Sequence, residues 1–130
     1  MDKIEIKEDL ELVLFKPTDH LSINSIINYV TIIKDFPGKT DHFKRFTKLT
    51  KLTGINLKLT DIELITTLIK NIRSNGNAKS CFYYKEYGVE KLVKLIVDNM
   101  KPELTDFLVS SDLQSCAEYL EVDLEILEKF

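Results

Sequence analysis

Ile62, Ile65, Leu68, Ile69 and Ile72 recur at spacings of three and four, with Thr66, Lys70 and Arg73 falling between them. That spacing puts the apolar side chains on one face of a helix and the polar ones on the other. Thr60 and Glu63 have the spacing of a capping box, so the helix is expected to begin at Thr60. It is expected to stop near Asn75-Gly76, where a left-handed cap costs little. Val89, Leu92, Val93, Ile96, Val97 and Met100 repeat the pattern, and Pro102 bars continuation. Between the two lies an aromatic stretch, Ser80 to Tyr87, expected as a short helix that ends at Gly88.

The flanks read similarly. Ile23, Ile26, Ile27, Val30 and Ile33 predict a helix over residues 22–35, closed by Pro37-Gly38. Phe43, Phe46, Leu49 and Leu52 predict another over 41–53, with Lys44, Arg45, Lys48 and Lys51 on its far side and Gly54 at its end. A short helix is expected over 103–110 (Leu104, Phe107, Leu108, Val109). Ser111 or Asp112 then caps a helix holding Leu113, Cys116, Ala117 and Leu120, and Asp123 a last piece holding Leu124, Leu127 and Phe130. Residues 3–16 carry two readings. Ile4 and Ile6, then Leu10, Leu12 and Leu14, alternate with polar positions as in a hairpin turning at Glu8-Asp9. A helix from Lys7 burying Leu10, Val13 and Leu14 is preferred, since a lone hairpin is marginal.

The fold class expected is therefore all-α: armadillo-like stacked helices or a compact helical bundle, with a short N-terminal hairpin as the variant. At 130 residues the chain is expected to be a single helical domain spanning 1–130, or a fragment of a longer repeat protein. An apolar fraction of 44% is enough for a core, and a net charge of −3 makes no bulk argument for nucleic acid. Apolar runs fall short of the roughly 18 residues that span a bilayer. The acidic, interrupted N-terminus is unlike a secretory signal, and Cys81 and Cys116 sit on apolar backgrounds as small buried hydrophobes. An intracellular location, cytoplasmic or nuclear, is expected.

Three segments (32–55, 68–89 and 116–130) each show a helix end, a polar break and an aromatic anchor. In the middle one, IKNIRSN, SCFYYKEY, Gly88-Val89 and EKLVKLI together resemble an armadillo or HEAT repeat, best over residues 68–100. The resemblance implies stacked helices with an extended face for peptides. The stretch DLQSCAEYLEVDLEILEKF is also similar to the opening of a helix-turn-helix, with Glu121 where a glycine is usual. The stretch from Gly88 onward resembles the helical end of a BTB/POZ domain, whose hairpin residues 3–16 could supply.

Catalytic and metal motifs are missing from the sequence. There is no Gly-rich phosphate loop, no G-x-S-x-G and no C-x-x-C, and His20 and His42 have no spacing partner for zinc. Surface charge is the remaining signal. Residues 39–58 hold Lys39, Lys44, Arg45, Lys48, Lys51 and Lys58 against Asp41 alone, while the last third is acidic. Tyr83, Tyr84 and Tyr87 crowd beside Phe82, more rings than a short helix can bury. The function expected is a non-catalytic protein-interaction or adaptor domain, not an enzyme, with no cofactor. Its partner-binding residues are Lys44, Arg45, Lys48 and Lys51 on a basic face and Tyr83 and Tyr84 on an exposed ridge. The partner is another protein or an acidic peptide, with nucleic acid less favoured and no membrane. A homo-oligomer could join basic 39–58 to acidic 103–128. The alternative is a small helical-bundle regulatory or assembly subunit.

Overall fold

The computed structural model describes residues 2–36, 40, 42–71, 78–99 and 106–130. The breaks expected at Pro37-Gly38, Asn75-Gly76 and Pro102 lie outside these residues, as do Lys39, Asp41, Ile72, Arg73, Met100, Glu103 and Leu104 and the side chains of Tyr87, Leu92, Ile96 and Val97.

Helices form where the three-four patterns predicted them: α1 (Ile23–Asp35), α2 (Leu59–Asn71), α3 (Tyr87–Asn99), α4 (Leu113–Leu120) and α5 (Leu124–Lys129). The capping box expected at Thr60 is absent, since α2 begins at Leu59 and the Asp61 carboxylate accepts from Lys58 N–H at 2.8 Å, and Asp123 makes no side-chain cap bond to α5. Ser22 caps α1 through its side chain, and Asp112 caps α4. The segments between them are strands, and this overturns the all-α expectation. Residues 3–16 take the hairpin alternative: β1 (Lys3–Lys7) and β2 (Leu12–Lys16) run antiparallel about a single 3-10 turn at Glu8–Leu10. The helix expected over 41–53 is instead β4 (Lys44–Lys48) and β5 (Lys51–Asn56). The aromatic stretch is β6 (Ser80–Tyr83), and the short helix expected over 103–110 is β7 (Phe107–Ser110). A further strand, β3 (Thr18–Ser22), pairs in parallel with β5.

The main sheet has the order β1-β2-β4-β6-β7, antiparallel at the β1/β2 edge and parallel from β2 onward. Parallel neighbours need crossovers, and α1, α2 and α3 supply them. The strand order advances in one direction, so right-handed crossovers lay all three helices on one face. Side chains alternate accordingly. Val13, Phe15, Phe43, Phe82, Phe107 and Val109 pack on the α1–α3 side, against Tyr29, Val30, Ile33, Val89 and Val93. Leu12, Leu14, Phe46, Cys81 and Tyr83 point the other way, into a core with Cys116, Ala117, Leu120, Leu127 and Phe130 of α4 and α5. In segments 32–55 and 68–89 the pattern of helix end, polar break and aromatic anchor is therefore a helix–strand unit, and only 116–130 is a helix pair, α4 with α5. An armadillo or HEAT solenoid has no central sheet, so that resemblance fails, and with it the helical-bundle alternative.

Candidate functional site

Three parallel strands end in, or just before, a lysine. Leu12–Lys16 closes β2, Lys44–Lys48 closes β4, and Lys85 stands two residues beyond β6. Parallel strands share a direction, so these lysines share the carboxyl edge of the sheet. Lys3 joins them because the hairpin register sets it opposite Lys16. Lys51 opens β5 just past the turn at Leu49-Thr50, and β3 and β5 form a separate two-stranded sheet. In that small sheet a register shift follows Asp19, which takes a left-handed φ of 60°, and Gly54 lies beneath the His20 ring. The glycine read as a helix stop is thus a point of close strand packing, where an added Cβ would come within 2.9 Å of the imidazole.

These lysines act on one another. Burial first, then the charges of Lys16, Lys85 and Lys51, holds Lys48 below the ordinary lysine value, with Glu128 working against the shift. Burial, Lys3 and Lys51 do the same to Lys16. Part of the cluster already has a ligand. Lys48 Nζ donates to the Leu127 carbonyl at 2.9 Å, and Lys16 Nζ donates to the Phe130 carbonyl, so both meet the negative C-terminal end of α5. Lys3 and Lys16 also lie over the Phe130 ring at 5.1 and 5.3 Å. Lys51 and Lys85 remain exposed.

The opposite edge is built the same way. Lys44 Nζ donates to the Leu120 carbonyl at 2.6 Å and Lys79 Nζ to the Tyr119 carbonyl at 3.1 Å, closing the C-terminus of α4. The basic 39–58 segment and the acidic last third therefore meet within one chain, through carbonyls at helix ends.

The structure separates the six residues expected to bind a partner. Lys48 and Lys51 come together at the carboxyl edge, while Lys44 is turned to α4. Arg45 is 4% exposed and Tyr83 8% exposed, so neither presents a surface. Tyr84 is half-buried, and its hydroxyl donates to Glu90, which Lys94 holds at 2.7 Å; these bonds, that of Lys94 foremost, lower the Glu90 carboxyl. An exposed tyrosine ridge is thus replaced by one buried and one anchored ring. Lys3, Lys16 and Lys85 were not singled out in the sequence. The signal was a short segment containing phenylalanine and closing on lysine, three times: LVLFK, RFTK and CFYYK.

Other chemistry is sparse. Cys81 and Cys116 are free and buried in one cluster, and the hydrogen bond to Cys116, together with burial, keeps the Cys81 proton in place. His20 and His42 are exposed. Among the described residues no group of three or more His, Cys, Asp or Glu could hold a metal, and no helix is long and apolar enough to cross a membrane. A groove of about 310 Å³ lies between β1 and α5, but Lys3, Lys7 and Lys129 there alternate with Glu5, Asp123 and Glu125. Its charges compensate each other, whereas at the carboxyl edge the charges of Lys16, Lys85 and Lys51 on Lys48 are opposed by Glu128.

No protein-family model and no curated protein matches the chain. Among solved structures, an uncharacterized protein of the DUF3478 family from Shewanella loihica PV-4, described as having a SpoIIAA-like fold, superposes with a TM-score of 0.60. The match covers 92% of both chains at 14% identity. The chain is similar in fold to the SpoIIAA-like proteins. That likeness confirms an α/β architecture in place of armadillo repeats, and at this identity it speaks for the fold alone.

The lowered lysines have a measurable consequence. A lysine whose pKa is lower in the folded state makes that state bind fewer protons than the unfolded chain as pH rises through the folded value. Lys16 and Lys48 therefore weaken the fold at neutral pH, and that cost is relieved as pH climbs from their folded values to the ordinary lysine value. Titration of side-chain-labelled lysines by NMR should show both amines deprotonating early. Ordinary lysine behaviour at both positions would show that the cluster is not crowded.

Proposed function

We propose that the chain is a non-catalytic interaction domain that takes an acidic segment of another protein along the carboxyl edge of its sheet. The observation that carries this reading is the convergence of Lys3, Lys16, Lys48, Lys51 and Lys85 on that edge, with Lys16 and Lys48 lowered by burial and then by neighbouring lysines. Like charges held together by a fold raise the local potential and favour an anionic partner. An overall charge of −3 means that this edge stands out from the rest of the surface. A carboxylate entering here would relieve the repulsion and would meet Lys51 and Lys85 while they are still free of helix ends. A location inside the cell is part of the same proposal.

Polyglutamate serves as the probe. It should bind, and the binding should weaken steeply between low and physiological salt because exposed charges are screened. Lys51→Glu with Lys85→Glu reverses two exposed charges and should cost the fold little. It should weaken polyglutamate binding at least tenfold. Equal binding by the double variant would move the site elsewhere. A single-stranded oligonucleotide bound more tightly than polyglutamate at matched salt would favour nucleic acid over protein.

A further inference from the structure

The two edges of the main sheet are not alike. β1 carries Lys3, Glu5 and Lys7, and charged side chains on an edge strand discourage further pairing. β7 at the other edge is Phe107-Leu108-Val109-Ser110, with no charge, no proline and no bulge against β6. All four residues are half-buried, and among the described residues no strand lies beyond them.

The backbone pattern shows what this edge can accept. Ser80 N donates to the Asp106 carbonyl and Tyr84 N to the Ser110 carbonyl, so even-numbered positions of β7 turn their polar groups toward β6. In a parallel pair those groups alternate along the strand. The N–H and C=O of Phe107 and Val109 therefore point outward, two donors and two acceptors.

We propose that this edge pairs with the same edge of a second copy of the chain, antiparallel about a two-fold axis through Leu108. This register sets Phe107 opposite Val109 of the copy as a hydrogen-bonded pair, twice by symmetry. All four outward groups of each copy are then satisfied, giving four hydrogen bonds in total. Side-chain parity agrees: Phe107 and Val109 lie on the α3 side of both sheets, and Leu108 meets its own counterpart on the α4 side. The nearest charge, Asp106, falls opposite Ser110 and not opposite itself. Each of the two sheets thus continues into a single ten-stranded one. The self-complementarity selects a second copy over a foreign strand, because an isologous interface requires one surface to fit itself. α3 and α4, which pack on the two faces of β7, would meet their counterparts and add the area that four backbone bonds lack. Leu95 of α3 is 46% exposed.

Sedimentation of the wild-type chain over a wide concentration range should show a reversible monomer–dimer equilibrium. In a mixture of isotope-labelled and unlabelled chains, filtered NMR should detect Leu108 methyls in contact with Leu108 of the other copy. Val109→Pro removes an outward N–H that β6 does not use, so it should weaken dimerisation at least tenfold while the circular dichroism stays native. A wild-type chain that stays monomeric at every concentration overturns the proposal, whether or not the edge accepts a strand from another protein. A dimer without the Leu108 contact overturns it too, and that reading does not depend on how well the proline variant folds.

Discussion

Phe46→Ala is expected to destabilise the chain by about 3–5 kcal/mol, a large share of the stability of a small domain. Phe46 is fully buried at the centre of β4, paired on both sides by parallel strands, and its ring stacks near Tyr83 at 6.4 Å between centroids. It also meets the α4–α5 core, so its loss opens a cavity where sheet and helices join. Neighbouring strands cannot close that space, because the hydrogen-bond ladder fixes their separation. Urea unfolding of the variant measures the cost directly. A loss below about 1 kcal/mol, the scale of a surface change, would mean that Phe46 does not sit at the centre of a sheet.

Leu127→Ala should cost about 2–5 kcal/mol and act locally first. α5 has six residues and cannot be stable alone, since so short a helix does not recover its nucleation cost. Leu127 is its fully buried anchor, with Phe130 beside it. Release of α5 would take the Leu127 and Phe130 carbonyls away from Lys48 and Lys16. Hydrogen exchange in the variant should therefore rise over 122–130 before it rises in β4. Uniform acceleration across the chain would show that α5 unfolds only with the whole molecule.

Helices were legible because they are long and one-sided. α1, α2 and α3 have thirteen residues each, enough turns for a three-four pattern to declare itself. The strands β4, β6 and β7 were not, for a physical reason. They have four or five residues and are covered by helices on both faces, so none of them shows a clean alternation. Phe43, Phe46 and Leu49 fit a helix by spacing alone, yet Phe43 and Leu49 lie just outside the ends of β4. The hairpin kept a two-residue period at Ile4 and Ile6 and at Leu10, Leu12 and Leu14.

The charge pattern was legible in the sequence, though not its meaning. Basic 39–58 and the acidic last third do belong together, through Lys44 and Lys48 at the carboxyl ends of α4 and α5. The hydrogen bonds of those lysines go to backbone carbonyls at helix ends, not to carboxylates. The rest of the site depends on parallel strands ending side by side, and spacing along a chain carries no such information until the topology is known.

The central claim is that the carboxyl edge of the sheet receives an acidic segment, and an NMR titration of the labelled chain with polyglutamate tests it most directly. Amide shifts should concentrate at Lys3, Lys16, Lys48, Lys51 and Lys85 and their neighbours, and should vanish as salt is raised. Shifts centred on Lys7 and Lys129 at the far side of the β1–α5 groove or on the outer faces of α1–α3, or no shifts at low salt, would contradict the account.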